Sequence, residues 1–130
     1  MSSSSPPSLT RRRAVAAADG RWAEDWVLGL LEASGWRLVV RNWRCPYGEI
    51  DLLMGKPGRL LLVEVKGRRR RGPDGWGVGA LGPPKRRRLG RAWACWQAEH
   101  PSWAEARLEW VAALVPLPPV VGAVRWFRLD

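Results

Sequence analysis

Histidine, cysteine and lysine are among the scarce residues of this 130-residue chain. A single histidine, His100, argues against a zinc centre or a histidine-based catalytic triad. Cys45 and Cys95 are the only cysteines. Two thiols do not complete a metal site, and they read as unlinked, with Cys95 buried. No apolar run approaches the roughly 18 residues needed to span a bilayer. Arg11-Arg12-Arg13 ahead of Ala14-Val15-Ala16-Ala17-Ala18 has the start of a twin-arginine export signal, but Asp19 ends the apolar stretch after five residues. The expected location is therefore the cytoplasm, away from membranes. Lysine occurs only at 56, 66 and 85, so the 22 basic residues include 22 − 3 = 19 arginines, and isoleucine occurs once, at Ile50. That bias fits a GC-rich genome, and it discounts some of the arginine as a sign of a ligand.

What the chain does contain is positive charge. The net charge is +10 and the pI about 11.3, which favours an anionic partner, nucleic acid first. Hydrophobic residues make up 46% of the chain, enough for one domain with a core. Ten tryptophans are unusual, and core packing is the expected role for nine of them. The exception is Trp76, which sits among glycines where it could meet a ligand.

The Ser/Pro-rich start and its arginines read as a disordered basic tail over residues 1–12, with one domain over 13–130. From about Ala14 to Ser34 the pattern is helical, with Ala23, Val27, Leu30 and Leu31 at 3.6 spacing and Gly35 as a stop. Glu24 falls toward the apolar side. It is either an edge residue paired with an arginine or a carboxylate placed over the sheet. Trp36 to Trp43 reads as a strand. Arg68 to Pro84, with five glycines and three prolines, reads as a loop, either a solvated linker or a grasping segment for phosphate. Pro84 to Glu99 reads as a second helix. Lys85 lies four before Leu89, on its apolar side, while Arg86, Arg87, Arg88 and Arg91 crowd its N-terminal half against the macrodipole. Arg107–Val115 and Ala123–Leu129 read as strands. The order predicts a mixed sheet of about five strands flanked by helices, an α/β or α+β fold, of which α/β is the expectation.

The stretch that organises the rest runs from Tyr47 to Arg68. Two apolar runs flank Gly55-Lys56-Pro57-Gly58, a strong turn, so they should form an antiparallel hairpin. Alternation puts Glu49, Asp51 and Leu53 on one face of the first strand and Ile50, Leu52 and Met54 on the other. On the second strand Leu60, Leu62, Glu64 and Lys66 share a face. Asp51, Glu64 and Lys66 thus interrupt apolar strands, where a charge is costly unless paired or bound to a metal. Two carboxylates beside an ammonium suit a hard divalent cation and a water next to it.

Gly48-Glu49-Ile50-Asp51, followed thirteen positions after Asp51 by Glu64-Val65-Lys66, resembles the PD-(D/E)xK nuclease signature. With Glu24-Asp25, Asn42-Trp43-Arg44 and Lys85 with Arg88-Leu89, it is most similar to the YraN-like family of bacterial proteins, itself similar to archaeal Holliday-junction resolvases. The resemblance covers about Gly20 to Val115. It departs at Ala23, where the family has glycine, and at Arg107-Leu108-Glu109-Trp110, where the family has Arg-Phe-Asp-Val. The resemblance implies a restriction-endonuclease-like fold. It makes Asp51 and Glu64 ligands for Mg²⁺ or Mn²⁺, Lys66 the catalytic lysine, and Glu24 an accessory acid of the same catalytic set. The resolvase relatives imply a homodimer.

The expected activity is metal-dependent hydrolysis of DNA phosphodiesters, with branched or structured DNA as the substrate class. Arg44, Arg68, Arg69, Arg70, Arg71, Lys85, Arg86, Arg87 and Arg88 are the expected phosphate contacts. Two alternatives compete. One is a non-catalytic nucleic-acid-binding protein that retains the nuclease fold. In the other, Asp51, Glu64 and Lys66 form a purely structural ion-pair network.

Overall fold

The computed structural model describes residues 8–69 and 82–130. Arg70, Arg71, Trp76 and the rest of the expected glycine-rich loop up to residue 81 lie outside the described residues, as do residues 1–7. Helix α1 spans Leu9–Ala33, followed by strands β1 (Arg37–Cys45), β2 (Gly48–Lys56) and β3 (Arg59–Arg68). Helix α2 (Pro83–Glu99), a short 3₁₀ turn at Pro101–Trp103, β4 (Arg107–Pro116) and β5 (Arg125–Arg128) complete the chain. The helix starts earlier than the periodicity implied, because the Ser8 side chain caps it by accepting from the Arg11 N–H at 3.2 Å. Residues 9–12, expected in the tail, are therefore helical.

The strands form one sheet in the order β1-β2-β3-β4-β5. All neighbours are antiparallel except β3 and β4, whose parallel pairing is spanned by α2. The fold is thus the expected α/β mixed sheet with two helices. Pro57 and Gly58 alone make the β2–β3 turn, since Lys56 already pairs with Arg59, and Gly58 takes a left-handed φ of 71°.

The helices cover opposite faces. Ala23, Val27 and Leu31 of α1 pack on Leu52, Met54, Leu61 and Val63. Leu89, Ala92 and Trp96 of α2 pack on Ile50, Leu53, Leu60 and Leu62. Burying β3 from both sides accounts for its continuous run of apolar residues.

Two expectations fail here. Ile50 does not share a face with Leu52 and Met54; it joins the α2 cluster. The alternation reverses at Asp51, which lies between the pairs Trp43–Ile50 and Arg41–Leu52, opposite Asn42. Asn42 takes a positive φ of 52°, a conformation asparagine tolerates better than most residues. The tryptophans also divide. Trp36 and Trp96 are buried, but Trp22, Trp26 and Trp126 are exposed. On α1 the stripe Ala23-Val27-Leu31 takes the core, so Trp22 and Trp26 fall beside it and stack on each other, centroids 5.8 Å apart. Trp36 is clamped between the helix end and the hairpin tip, with Lys56 Nζ 4.6 Å above its ring.

Gly67 lets the chain after β4 close over β3. A Cβ there would sit 2.9 Å from Leu117 Cδ2 and 3.0 Å from Leu117 Cγ, and Leu117 is buried. Gly67→Ala is predicted to destabilise the protein by about 1–3 kcal/mol in urea denaturation, the usual cost of overpacking.

Candidate active site

The site forms where β2 and β3 part. Leu52–Val63 is the last laddered pair between them. One step further, the Asp51 side chain takes over from the backbone: its Oδ2 accepts the Val65 N–H at 2.9 Å. Val65 and Glu64 stay paired to Ala113 and Ala112 of β4, so β3 runs on while β2 diverges. The opening leaves Asp51 and Glu64 side by side at a strand end.

Glu64 is the one charged residue in the core among the described residues, with its side chain 2% exposed. Lys66 Nζ lies 3.6 Å from Glu64 Oε1. Lys85 Nζ, reaching in from α2, lies 3.0 Å from the same oxygen. Glu64 Oε2 is buried without a hydrogen-bond partner. Asp51 feels this crowding. Its carboxyl is pushed up to about 8, first by burial and then by the charge of Glu64, with the Val65 N–H pulling the other way and Glu24 adding to the rise.

Glu24 therefore stands close enough to act on Asp51, as one of its two sequence readings required. It also meets the other reading, because Arg41 Nε lies 3.2 Å from Glu24 Oε1. The same guanidinium reaches Asp25 at 2.8 Å. Arg41 had no assigned role in the sequence. Its signal is its place on the strand opposite Leu52, one residue from Asn42.

A divalent cation suits the donors that this parting assembles. Two carboxylates are held together against their own repulsion, and one carries a buried oxygen with no partner. No three His, Cys, Asp or Glu side chains among the described residues gather into a metal-binding group. The fit thus rests on Asp51 and Glu64, a number of carboxylates that Mg²⁺ accepts while keeping water in its other positions.

The expected phosphate contacts are dispersed. Arg69 holds Asp19 of α1 through paired bonds of 2.6 and 2.7 Å and donates to the Pro118 carbonyl at 3.1 Å. Those bonds also lower the Asp19 carboxyl. Arg68 donates to the Gly67 carbonyl at 2.9 Å, and Arg44 pairs across the strands with Glu49 at 3.4 Å. Lys85 faces Glu64, while Arg86, Arg87 and Arg88 are exposed on α2. Two open grooves flank the acids. One, of about 610 Å³, is lined by Arg44, Tyr47, Gly48, Lys85 and Arg88. The other, of about 460 Å³, is lined by Asp19, Lys66, Arg68 and Arg69. Cys45 and Cys95 are both free and half-buried; burial and the neighbouring Cys45 raise the Cys95 thiol.

Sheet and site together define a class: an α/β domain whose parted strands hold two acids and two amines between basic grooves. Residues 23–113 match the Uncharacterised protein family UPF0102. The chain is 53% identical over 111 residues to a UPF0102 protein of Prochlorococcus marinus (strain MIT 9303), covering 85% of this chain and 88% of that one. It is 51% identical to a UPF0102 protein of Parasynechococcus marenigrum (strain WH8102), over 85% of this chain and 81% of that one. It is 41% identical to one from Halorhodospira halophila (strain DSM 244 / SL1), over 65% and 69%. The chain belongs to the UPF0102 family, the YraN-like family its motif residues resemble. No helix among the described residues is long and apolar enough to cross a membrane.

The raised Asp51 carboxyl predicts a pH dependence. Folded, Asp51 keeps its proton up to about 8; unfolded, it loses it near the ordinary value of 3.8. The folded state thus binds more protons between those limits, and stability falls as pH rises through them. Urea denaturation in chelator from pH 5 to 9 should show this fall, and Asp51→Asn should flatten it. An equally steep fall in Asp51→Asn would assign the titration elsewhere.

Proposed function

We propose that this protein is a metal-dependent nuclease that hydrolyses phosphodiester bonds of DNA, with branched or structured DNA as its substrate class. The observation that carries the reading is Glu64, a buried carboxylate with one unpartnered oxygen, pressed against a second acid and paired with Lys85 and Lys66, each of which lines a basic groove. Asp51 and Glu64 would hold Mg²⁺ or Mn²⁺. When bound, the ion would supply positive charge at the phosphate and lower the pKa of a water beside it.

The chain's own residues supply the rest. The Val65 N–H holds one oxygen of Asp51, and the carboxyl stands against Glu64. Lys66 extends from the same strand as Glu64, with its side chain 26% exposed. Its ammonium reaches the solvent-facing side of the acids, where it would orient the attacking water or offset charge on the phosphate. Glu24, held by Arg41, adds a negative charge behind Asp51 and would help position water. Exposed Arg87 and Arg88, with Arg44, would grip backbone phosphates without reading bases. The first turn of α2 carries no acid, so an incoming phosphate meets little repulsion there. The likeness to resolvases supports a homodimer as the active unit.

One observation favours a second reading, a nucleic-acid binder that keeps the fold without the chemistry. Both amines already rest on Glu64 and neutralise much of its charge. Such a protein binds DNA in a salt-dependent way with no need of a cation.

Mn²⁺ titration by calorimetry, paired with cleavage of branched, single-stranded and duplex DNA, separates the two. The nuclease should bind Mn²⁺ and cut at least one substrate. Asp51→Ala should abolish both activities. Lys66→Ala should lower the cleavage rate by about 10²–10⁴-fold, the usual worth of a positioned proton-transfer group, while leaving DNA affinity nearly unchanged. Mn²⁺ binding that survives Asp51→Ala would remove the proposed site.

A further inference from the structure

Two ammonium groups converge on Glu64 Oε1, and they are not equivalent. Lys66 is two residues from Glu64 on the same strand and lies 3.6 Å away. Lys85 comes from the first turn of α2, across the parted strands, and is closer, at 3.0 Å. Its side chain is 29% exposed, and it also lines the 610 Å³ groove with Arg44, Tyr47 and Arg88. A lysine ammonium on its flexible four-carbon stem can therefore turn inward to the carboxylate or outward to the groove.

Both positions cannot serve a cation at once. A divalent ion between Asp51 and Glu64 would bring two positive charges to a carboxylate that already carries two ammonium groups, and like charges at such separations in a buried setting repel strongly. One amine has to leave. Lys66 lines the groove in which Asp19 is already held by Arg69, whereas Lys85 opens onto the groove lined by Arg44 and Arg88, where a backbone phosphate would lie. A buried Glu64 also cannot be left bare, because an uncompensated buried charge is costly. Departure of Lys85 and arrival of the cation are thus two halves of one exchange.

From this geometry we infer that Lys85 is a placeholder counterion. It occupies Glu64 in the free protein and moves onto a nucleic-acid phosphate as the divalent cation takes its place. This rests on the reading of Asp51 and Glu64 as cation ligands. It makes Lys85 a positioning residue that couples two binding events, so each should strengthen the other. Cation occupancy would stay low until DNA fills the groove.

The test uses MnCl₂ alone as the probe of the full chain, by calorimetry at fixed pH, on wild type, Lys85→Met and Lys85→Gln. Both variants should bind Mn²⁺ about tenfold more tightly than wild type, a typical size for coupling between sites. Each should have a lowered melting temperature in chelator, and Mn²⁺ should restore it. Lys85→Gln keeps a hydrogen-bond donor for Glu64, so it preserves the test if Lys85→Met does not fold. In chelator, duplex DNA affinity should fall with Arg88→Ala and hardly change with Lys85→Gln, because Lys85 is engaged on Glu64. Unchanged or weaker Mn²⁺ binding in both lysine variants would overturn the exchange, as would a metal-free loss of DNA affinity equal to that of Arg88→Ala. The two proposals fail differently. Tightened Mn²⁺ binding without cleavage of any DNA defeats the nuclease and leaves the exchange standing. Cleavage with unaltered Mn²⁺ affinity does the reverse.

Discussion

A carboxylate buried between a sheet and a helix is the constraint on which this structure turns. Glu64 sits on β3, which has a neighbour on both sides and a helix against each face. Water is excluded there, so its charge has to be met by other groups of the chain. Lys66 and Lys85 supply them on one oxygen. The other oxygen is left without a partner. Buried polar groups are nearly always satisfied, and those that are not tend to mark a functional site or an absent ligand. The strain is shared with Asp51, whose carboxyl is raised by the same burial and by Glu64 itself.

The surrounding fold reads as a device for holding that arrangement open. The ladder between β2 and β3 stops at Leu52–Val63, and Asp51 substitutes its side chain for the missing backbone bond. The alternation of β2 reverses at Asp51, so Ile50 faces α2 while Leu52 faces α1. Both cores therefore remain packed although the strand alternation is broken between them. Helix α2 spans the parallel β3–β4 connection, which brings Lys85 at its start over the strand end that carries Glu64.

Charge on the outside is less free than the net value of +10 implies. Arg69 is bound to Asp19, Arg41 to Glu24 and Asp25, and Arg59 to Glu109. These pairs tie α1 to β1 and to the end of β3, and link the two parallel strands. The groove between the β1–β2 turn and α2 is lined by Arg44, Lys85 and Arg88. The exposed Trp22–Trp26 stack lies on the outer side of α1, away from the sheet.

Much of this was legible in the residues because it depends on local pattern. The hairpin follows from Pro57-Gly58 between apolar runs, the helices from 3.6 spacing, and the convergence of Asp51, Glu64 and Lys66 from charges set into apolar strands. Lys85 was placed on the sheet side of its helix by its distance from Leu89, but its partner was not readable. An ion pair between residues 64 and 85 depends on how α2 lies across the strands, and spacing along one element carries no such information. The same holds for Arg41 with Glu24 and for Arg69 with Asp19, which join residues far apart in the chain. The face of Ile50 was misread because a period of two assumes an unbroken strand, and the alternation of β2 reverses at Asp51. By itself, then, the sequence determined which elements form and which side chains bear charge in apolar surroundings, since both are set by neighbours within a few positions. Which charge meets which, and which carboxylate oxygen is left over, was decided only by tertiary packing, because that alone sets the distances between elements.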